Sequence, residues 1–259
     1  EVLMGLFLIL IRFPLIVLHI TIGLVILVFF PKENLKLRPV HHKISQVWMK
    51  VLSFLFGFNI IKIGNLDHSV NTLISNHVTL FDIIILQSIT PVNFVAKSEI
   101  KSWPIIGHLS SKTGTIFIRR GDSTDNDNVI KKMRDYIMLG KKIIIFPEGR
   151  IGDGKQIKKF HSKLLESVVG DNKKTQPVLI HYPKDYPRDN MNDLSICWAD
   201  KSQTLFNISI KCMSRFRTNV LVKFHKTIQC NQQPYDLAKQ SFDLVKNSRD
   251  EITNVNLGK

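Results

Sequence analysis

Between residues 13 and 30 no side chain carries a formal charge, and Leu, Ile, Val and Phe dominate. About 18 such residues make roughly 27 Å of helix, close to the minimum that spans the hydrocarbon of a bilayer. Arg12 and Pro14 set this run apart from an earlier apolar piece at residues 2–11. The basic start and small-residue cleavage site of a secretory signal are not evident. A buried core helix is the alternative, but the composition points to a helix held in a membrane. The segment PKENLKLRPVHHK follows, and its Lys, Arg and His content places that end on the cytoplasmic side.

Residues 44–58, ISQVWMKVLSFLFGF, repeat Trp48, Val51, Leu52, Leu55 and Phe56 at helical spacing, with Lys43 and Lys50 interrupting. Such a helix fits two settings: the bilayer interface, with Trp48 at head-group depth, or the surface of a soluble domain. From residue 59 the pattern changes to short β-type runs alternating with helical ones. The strands expected are 60–64, 72–76, 92–96, 114–118, 142–146, 177–182 and 220–228. Helices are expected near 80–88, 125–139, 162–169 and 235–246. The fold class is therefore α/β, a central mixed sheet flanked by helices, with N-terminal membrane-associated helices. Residues 1–58 form the membrane-embedded or interfacial helices with their basic linker, and residues 59–259 form one domain.

A hydrophobic content of 44% excludes a disordered chain, and a net charge of +15 suits an anionic partner. Lipid head groups, nucleic acid and an acidic carrier all meet that condition. No zinc-finger or RNA-recognition signature is present, so no nucleic acid is expected. Cys197, Cys212 and Cys230 form no CxxC pair, which argues for reduced thiols rather than a disulfide framework or zinc site. His41 and His42 have no partner at metal-ligand spacing. The chain starts at Glu1 instead of Met, so an initial piece is expected to be absent.

The stretch SNHVTLFD, residues 75–82, sits between apolar runs. On an ideal helix, positions five apart diverge by about 140°, so His77 and Asp82 meet only if His77 lies in the loop after the strand. Asp82 is flanked by Phe81, Ile83 and Ile84 and needs a partner if buried. A histidine oriented by a carboxylate is a general-base pair. Ser75 precedes it on a strand and points to the other side, so the base acts on a hydroxyl of a substrate. The loops after three strands, SNHVTLFD, RRGD and PEGR, gather where α/β folds bind ligands.

Asn76-His77, four residues, then Asp82 resembles the first motif of the glycerolipid (lysophosphatidic acid type) acyltransferases. FVAKSEIKSWPIIGHLSSKTGTIFIRRGD resembles the second block, with Lys97, Pro104, Gly107, Gly114, Phe117 and Arg120 where the pattern wants them. IIIFPEGR resembles the third, and PVLIHY the fourth. The resemblance implies transfer of an acyl chain from acyl-CoA or acyl-carrier protein to the free hydroxyl of 1-acyl-glycerol-3-phosphate, giving phosphatidic acid. It implies no covalent acyl-enzyme, no metal and no cofactor beyond the donor. His77 would be the base and Asp82 its orienting partner. Asn76, Lys97, Arg120, Glu148, Gly149 and Arg150 would bind substrate, Arg120 gripping phosphate with a forked pair of bonds. The implied place is the cytoplasmic face of a bacterial inner membrane, with membrane lipids as partners.

The third motif usually continues with Thr where this chain has Arg150, which is expected to supply the cation one place early. DGKQIKKFHSKLLESV (residues 153–168) and ICWADKS (residues 196–202) resemble the lyso-ornithine lipid acyltransferase subgroup. Lyso-ornithine lipid or another lysophospholipid is therefore the alternative acceptor. A lipid hydrolase would reuse His77 and Asp82, but no Gly-x-Ser-x-Gly elbow is present. A non-catalytic basic membrane-binding protein would have no need of the base.

Overall fold

The computed structural model describes residues 2–119, 123–199 and 202–254. Its centre is a mixed sheet built from β1 (Phe58–Ile63), β2 (Thr72–Ser75), β3 (Asn93–Lys97), β4 (Ile116–Ile118), β5 (Ile143–Ile145), β6 (Lys174–His181) and β9 (Thr218–Phe224). The spatial order is β1-β9-β6-β2-β5-β3-β4. Neighbours run parallel except β6 and β9, which are antiparallel. A short β10 (Ile228–Gln229) also pairs with β6, and β7 (Pro183–Asp185) with β8 (Asp189–Asn192) forms a separate hairpin.

Both faces of the sheet are covered, which is why its strands read as unbroken apolar runs. Successive residues feed opposite cores. Leu73, Ile144, Val178 and Ile180 face one side, and Ile74, Ile143, Ile145 and Leu179 the other. The first face carries α2 (Pro39–Leu55), α3 (Phe81–Ile89) and α6 (Leu205–Met213). The second carries α5 (Ser123–Met138) and α7 (Pro234–Asn254). The remaining helix of this domain, α4 (Ile106–Lys112), follows β3 and precedes β4.

The apolar N-terminus is one helix, α1 (Val2–Ile26), and it runs on through Arg12 and Pro14. The expected break at these residues is absent because the domain satisfies the charge. Arg12 donates to the carbonyls of Met213 and Phe216, each at 3.0 Å, just beyond the end of α6. The stretch Val2–Phe29, with a mean hydropathy of 2.4 over an 18-residue window, is long and apolar enough to cross a membrane. It also touches the domain near both ends. A Cβ on Gly5 would lie 3.2 Å from the Ser214 carbonyl, and one on Gly23 would collide with the Trp48 indole. Trp48 and His19 lock the second contact, each ring bonding the other's backbone carbonyl.

Three expectations need correction. The run at 220–228 is two strands, because the chain turns at His225, whose N–H bonds Pro177 O at 3.0 Å. The helix expected at 162–169 is a single 3-10 turn, Lys163–Ser167. The helix expected from residue 44 starts earlier, at Pro39, whose missing N–H is harmless in a first turn. Helices α4 and α6 were not expected. Thr204 accepts from the Asn207 N–H at 3.1 Å, an N-cap signal that marks the start of α6.

Candidate active site

The three middle strands β5, β2 and β6 are parallel, so their C-terminal ends meet at one edge. Each delivers residues to the same place: His77 beyond β2, Phe146 and Glu148 beyond β5, and Tyr182 beyond β6. Loops at the carboxyl ends of parallel strands have room for side chains to converge.

His77 lies in the loop and Asp82 in the first turn of α3, as their spacing requires. His77 Nδ1 is 2.7 Å from Asp82 Oδ2. The same oxygen accepts from the N–H groups of Val78 (2.7 Å) and Thr79 (3.1 Å). Oδ1 accepts from the Tyr182 hydroxyl at 2.8 Å. Asp82 is fully buried, and four donors together with the positive end of α3 replace its lost hydration. Burial and the adjacent carboxylate push the Tyr182 phenol well up, so it stays a donor.

The His77 ring stacks on Phe146, centroids 4.2 Å apart and planes 15° off parallel. Its side chain keeps 12% exposure. Nδ1 is committed to Asp82, and among the described residues no protein atom bonds Nε2. The imidazole therefore presents one nitrogen outward, with its tautomer set from behind.

Glu148 works on the backbone. Oε1 accepts from the His77 N–H at 2.8 Å, and Oε2 from the Lys158 N–H at 2.9 Å. Burial pushes this carboxyl up to about 7, against the opposing pull of those two amides. The Gly152 N–H bonds the His77 carbonyl at 2.6 Å, so the Pro147–Gly152 turn holds both peptide groups of His77. A Cβ at Gly152 would sit 3.0 Å from that carbonyl, which explains the glycine. Gly149 has φ of 69° and bonds its N–H to Phe146 O at 3.1 Å, closing the turn.

The other expected residues are placed as follows. Asn76 is buried and clasps Ile180 through two bonds, Nδ2 to the carbonyl at 2.9 Å and Oδ1 from the N–H at 2.8 Å. It joins β2 to β6 and does not face the open side. Lys97 is exposed at the end of β3, and Arg150 is exposed in the turn after β5. Arg120 lies outside the described residues; Arg119, just before it, is exposed beyond β4. Ser75 is buried and donates to Asn76 O at 3.0 Å. Cys197 is buried, and burial raises its thiol far above its ordinary value. Neither is an available nucleophile.

Residues 63–181, which contain every part of this site except Tyr182, match the acyltransferase family model. Over these residues the chain is similar to the acyltransferase family. The lyso-ornithine lipid O-acyltransferase of Pseudomonas aeruginosa is 31% identical over 147 residues, 57% of each chain. The 1-acyl-sn-glycerol-3-phosphate acyltransferase of Neisseria meningitidis is 31% identical over 117 residues, 45% of this chain and 46% of that one. The chain thus matches about half the length of these relatives. The crystal structure of the 1-acyl-sn-glycerophosphate (LPA) acyltransferase PlsC from Thermotoga maritima superposes with a TM-score of 0.64. That match covers 96% of this chain and 95% of that one at 18% identity, a likeness of fold.

Sequence reasoning missed Tyr182 as part of the candidate site. Its signal was weak: a tyrosine ending an otherwise aliphatic strand, a hundred residues from its partner Asp82.

Proposed function

We propose that the protein is a membrane-docked O-acyltransferase that moves a fatty acyl chain from a thioester donor, acyl-CoA or acyl-carrier protein, to the hydroxyl of a lysolipid. The observation that carries this is the outward-facing His77 Nε2 backed by the buried Asp82 carboxylate. Nε2 takes the hydroxyl proton while the oxygen attacks the thioester carbonyl carbon. The tetrahedral intermediate collapses by breaking the C–S bond. The departing sulfur takes the proton back from the imidazolium, leaving an ester and a free thiol. Asp82 stabilises the imidazolium between the two transfers.

The acceptor we assign is 1-acyl-glycerol-3-phosphate, giving phosphatidic acid. Lys97, Arg119 and Arg150 follow three strands on the same sheet edge, a cationic rim suited to a phosphate dianion. Arg120, which lies outside the described residues, is assigned to phosphate binding on the sequence resemblance alone. A second reading has its own support. The segments that resemble the lyso-ornithine subgroup pack together beside the His77 loop: Gly154 against Cys197, and the Trp198 N–H on Val78 O at 3.0 Å. Lyso-ornithine lipid is the acceptor on that reading.

The membrane reading rests on α1, whose outer side leaves Leu3, Phe7, Leu10 and Leu18 exposed. A helix tied to the domain near both ends lies along it. Its free apolar side would enter the cytoplasmic leaflet. The deciding test incubates purified protein with acyl-CoA or acyl-carrier protein and each lysolipid in parallel. Ester formed from lysophosphatidate supports the assignment, and ester formed only from lyso-ornithine lipid moves the acceptor. No ester from any pair overturns the activity.

A further inference from the structure

Helix α2 presents Lys43, Val47, Lys50 and Phe54 on one stripe, because residues three and four apart share a helix face. Strand β1 faces that stripe with Ile60 and Lys62, two residues apart and so on one side of the sheet. Between them lies a groove of about 400 Å³, bounded also by Ser88 and Ile89 at the end of α3. Its lining mixes the apolar Val47, Phe54, Phe58 and Ile60 with the polar Gln46 and Ser53, three lysines stand around it, and no acid lines it. Among the described residues none of the three lysines forms an ion pair. Lys43 reaches only the Gln46 amide, at 3.0 Å. Gln46 in turn donates to the carbonyls of Ile89 (2.8 Å) and Ser88 (3.4 Å), so the negative end of α3 is already occupied.

The sequence extends this one-sign character. No acidic residue occurs from 34 to 66, or from 201 to 235. Strands β1 and β9, which belong to these two segments, are neighbours at the edge of the sheet. Arg215 and Lys223 of the second segment pair with Asp193 and Glu251, so the charge left without an acid among the described residues includes the three groove lysines, and such charge favours an anionic counterpart. The cations here are interleaved with exposed apolar side chains, Phe54 at 78% and Val47 at 51% exposure. The groove helix also packs on α1, whose exposed side is mostly apolar. An acidic protein would satisfy the lysines alone, whereas a lipid satisfies both the lysines and the apolar side chains between them.

We propose that this groove seats the phosphodiester head group of an anionic membrane phospholipid, with the lipid's upper chain against Val47 and Phe54. The site is separate from the His77–Asp82 centre. Asp82 opens α3 and Ser88 and Ile89 close it, so about 9 Å of helix rise lies between them. Lysines near an anionic surface are drawn to it. A built groove adds saturation at a defined number of lipids.

The test reads binding, not turnover, so it stands or falls apart from the proposed reaction. The full chain in detergent is titrated with phosphatidylglycerol or phosphatidylcholine, and retained lipid is counted by native mass spectrometry. The variant Lys43→Gln/Lys50→Gln/Lys62→Gln is compared with Lys131→Gln/Lys155→Gln/Lys239→Gln, which removes equal charge elsewhere. The expected result is saturable retention of phosphatidylglycerol over phosphatidylcholine, weakened at least tenfold by the groove variant and less than threefold by the control. Equal retention of both lipids overturns the proposal, and so does equal weakening by both variants. Displacement by glycerol 3-phosphate at the same concentration as the lipid would make the ligand a free phosphate and overturn the lipid assignment.

Discussion

The Tyr182 hydroxyl donates to Asp82 Oδ1 at 2.8 Å, on the carboxylate oxygen that His77 does not use. One strand end, β6, therefore braces the carboxylate that holds an imidazole delivered by another, β2. We read Tyr182 as a positioning residue. Its removal as Tyr182→Phe leaves more negative charge on Asp82, which strengthens the hold on the protonated imidazole. The acid limb of kcat/KM should then move to higher pH, while the lost brace lets carboxylate and imidazole drift from alignment and lowers kcat about tenfold with acceptor KM unchanged; a hydrogen bond to a charged group is worth about 1.5–3 kcal/mol. A lower Tm with an unmoved pH profile would reduce Tyr182 to a packing role.

Glu148 gives a stability prediction with a definite sign. Its folded-state value, about 7, lies above its ordinary 4.5. The folded protein thus holds this proton more tightly than the unfolded chain. The contribution is complete below about pH 4.5 and is lost as pH rises through about 7. The stability difference between wild type and Glu148→Gln should therefore shrink between pH 5 and pH 8, by on the order of 1–3 kcal/mol. Thermal unfolding of both proteins at the two pH values measures it. A difference that grows with pH contradicts the assignment.

Arg150 is exposed in the turn that ends with Gly152 bonded to the His77 carbonyl. If it supplies a cation to the acceptor's phosphate, Arg150→Ala should raise acceptor KM about tenfold with little change in kcat; the loss of one charge-assisted contact is of that size. Steady-state kinetics with varied acceptor decides. Unchanged kinetics would remove Arg150 from the rim.

The legible and illegible parts of this molecule divide along a physical line. His77 and Asp82 were readable because five residues of sequence bring them together across one loop. The central sheet was readable because Ile143–Ile145 and Val178–Ile180 are apolar at every position, the mark of strands buried on both faces. Tyr182 was not, since its meeting with Asp82 depends on β2 and β6 being neighbours, a fact of topology. The partners of Glu148 are backbone amides, which leave no trace in side-chain identity. The continuity of α1 was hidden for a related reason. A charge and a proline suggest a break until the carbonyls of Met213 and Phe216 are seen to receive the guanidinium.

On the proposed reaction, His77 is the base that deprotonates the acceptor hydroxyl. The most direct measurement is the rate of ester formation by His77→Ala beside wild type, with the same donor and acceptor and with Tm recorded for both. General-base assistance is worth about 10² to 10⁴ in rate. A loss of at least a hundredfold in kcat is expected, with Tm within a few degrees, because among the described residues the ring's one hydrogen bond is to Asp82. A variant that folds and still forms ester within tenfold of the wild-type rate would contradict that role of His77.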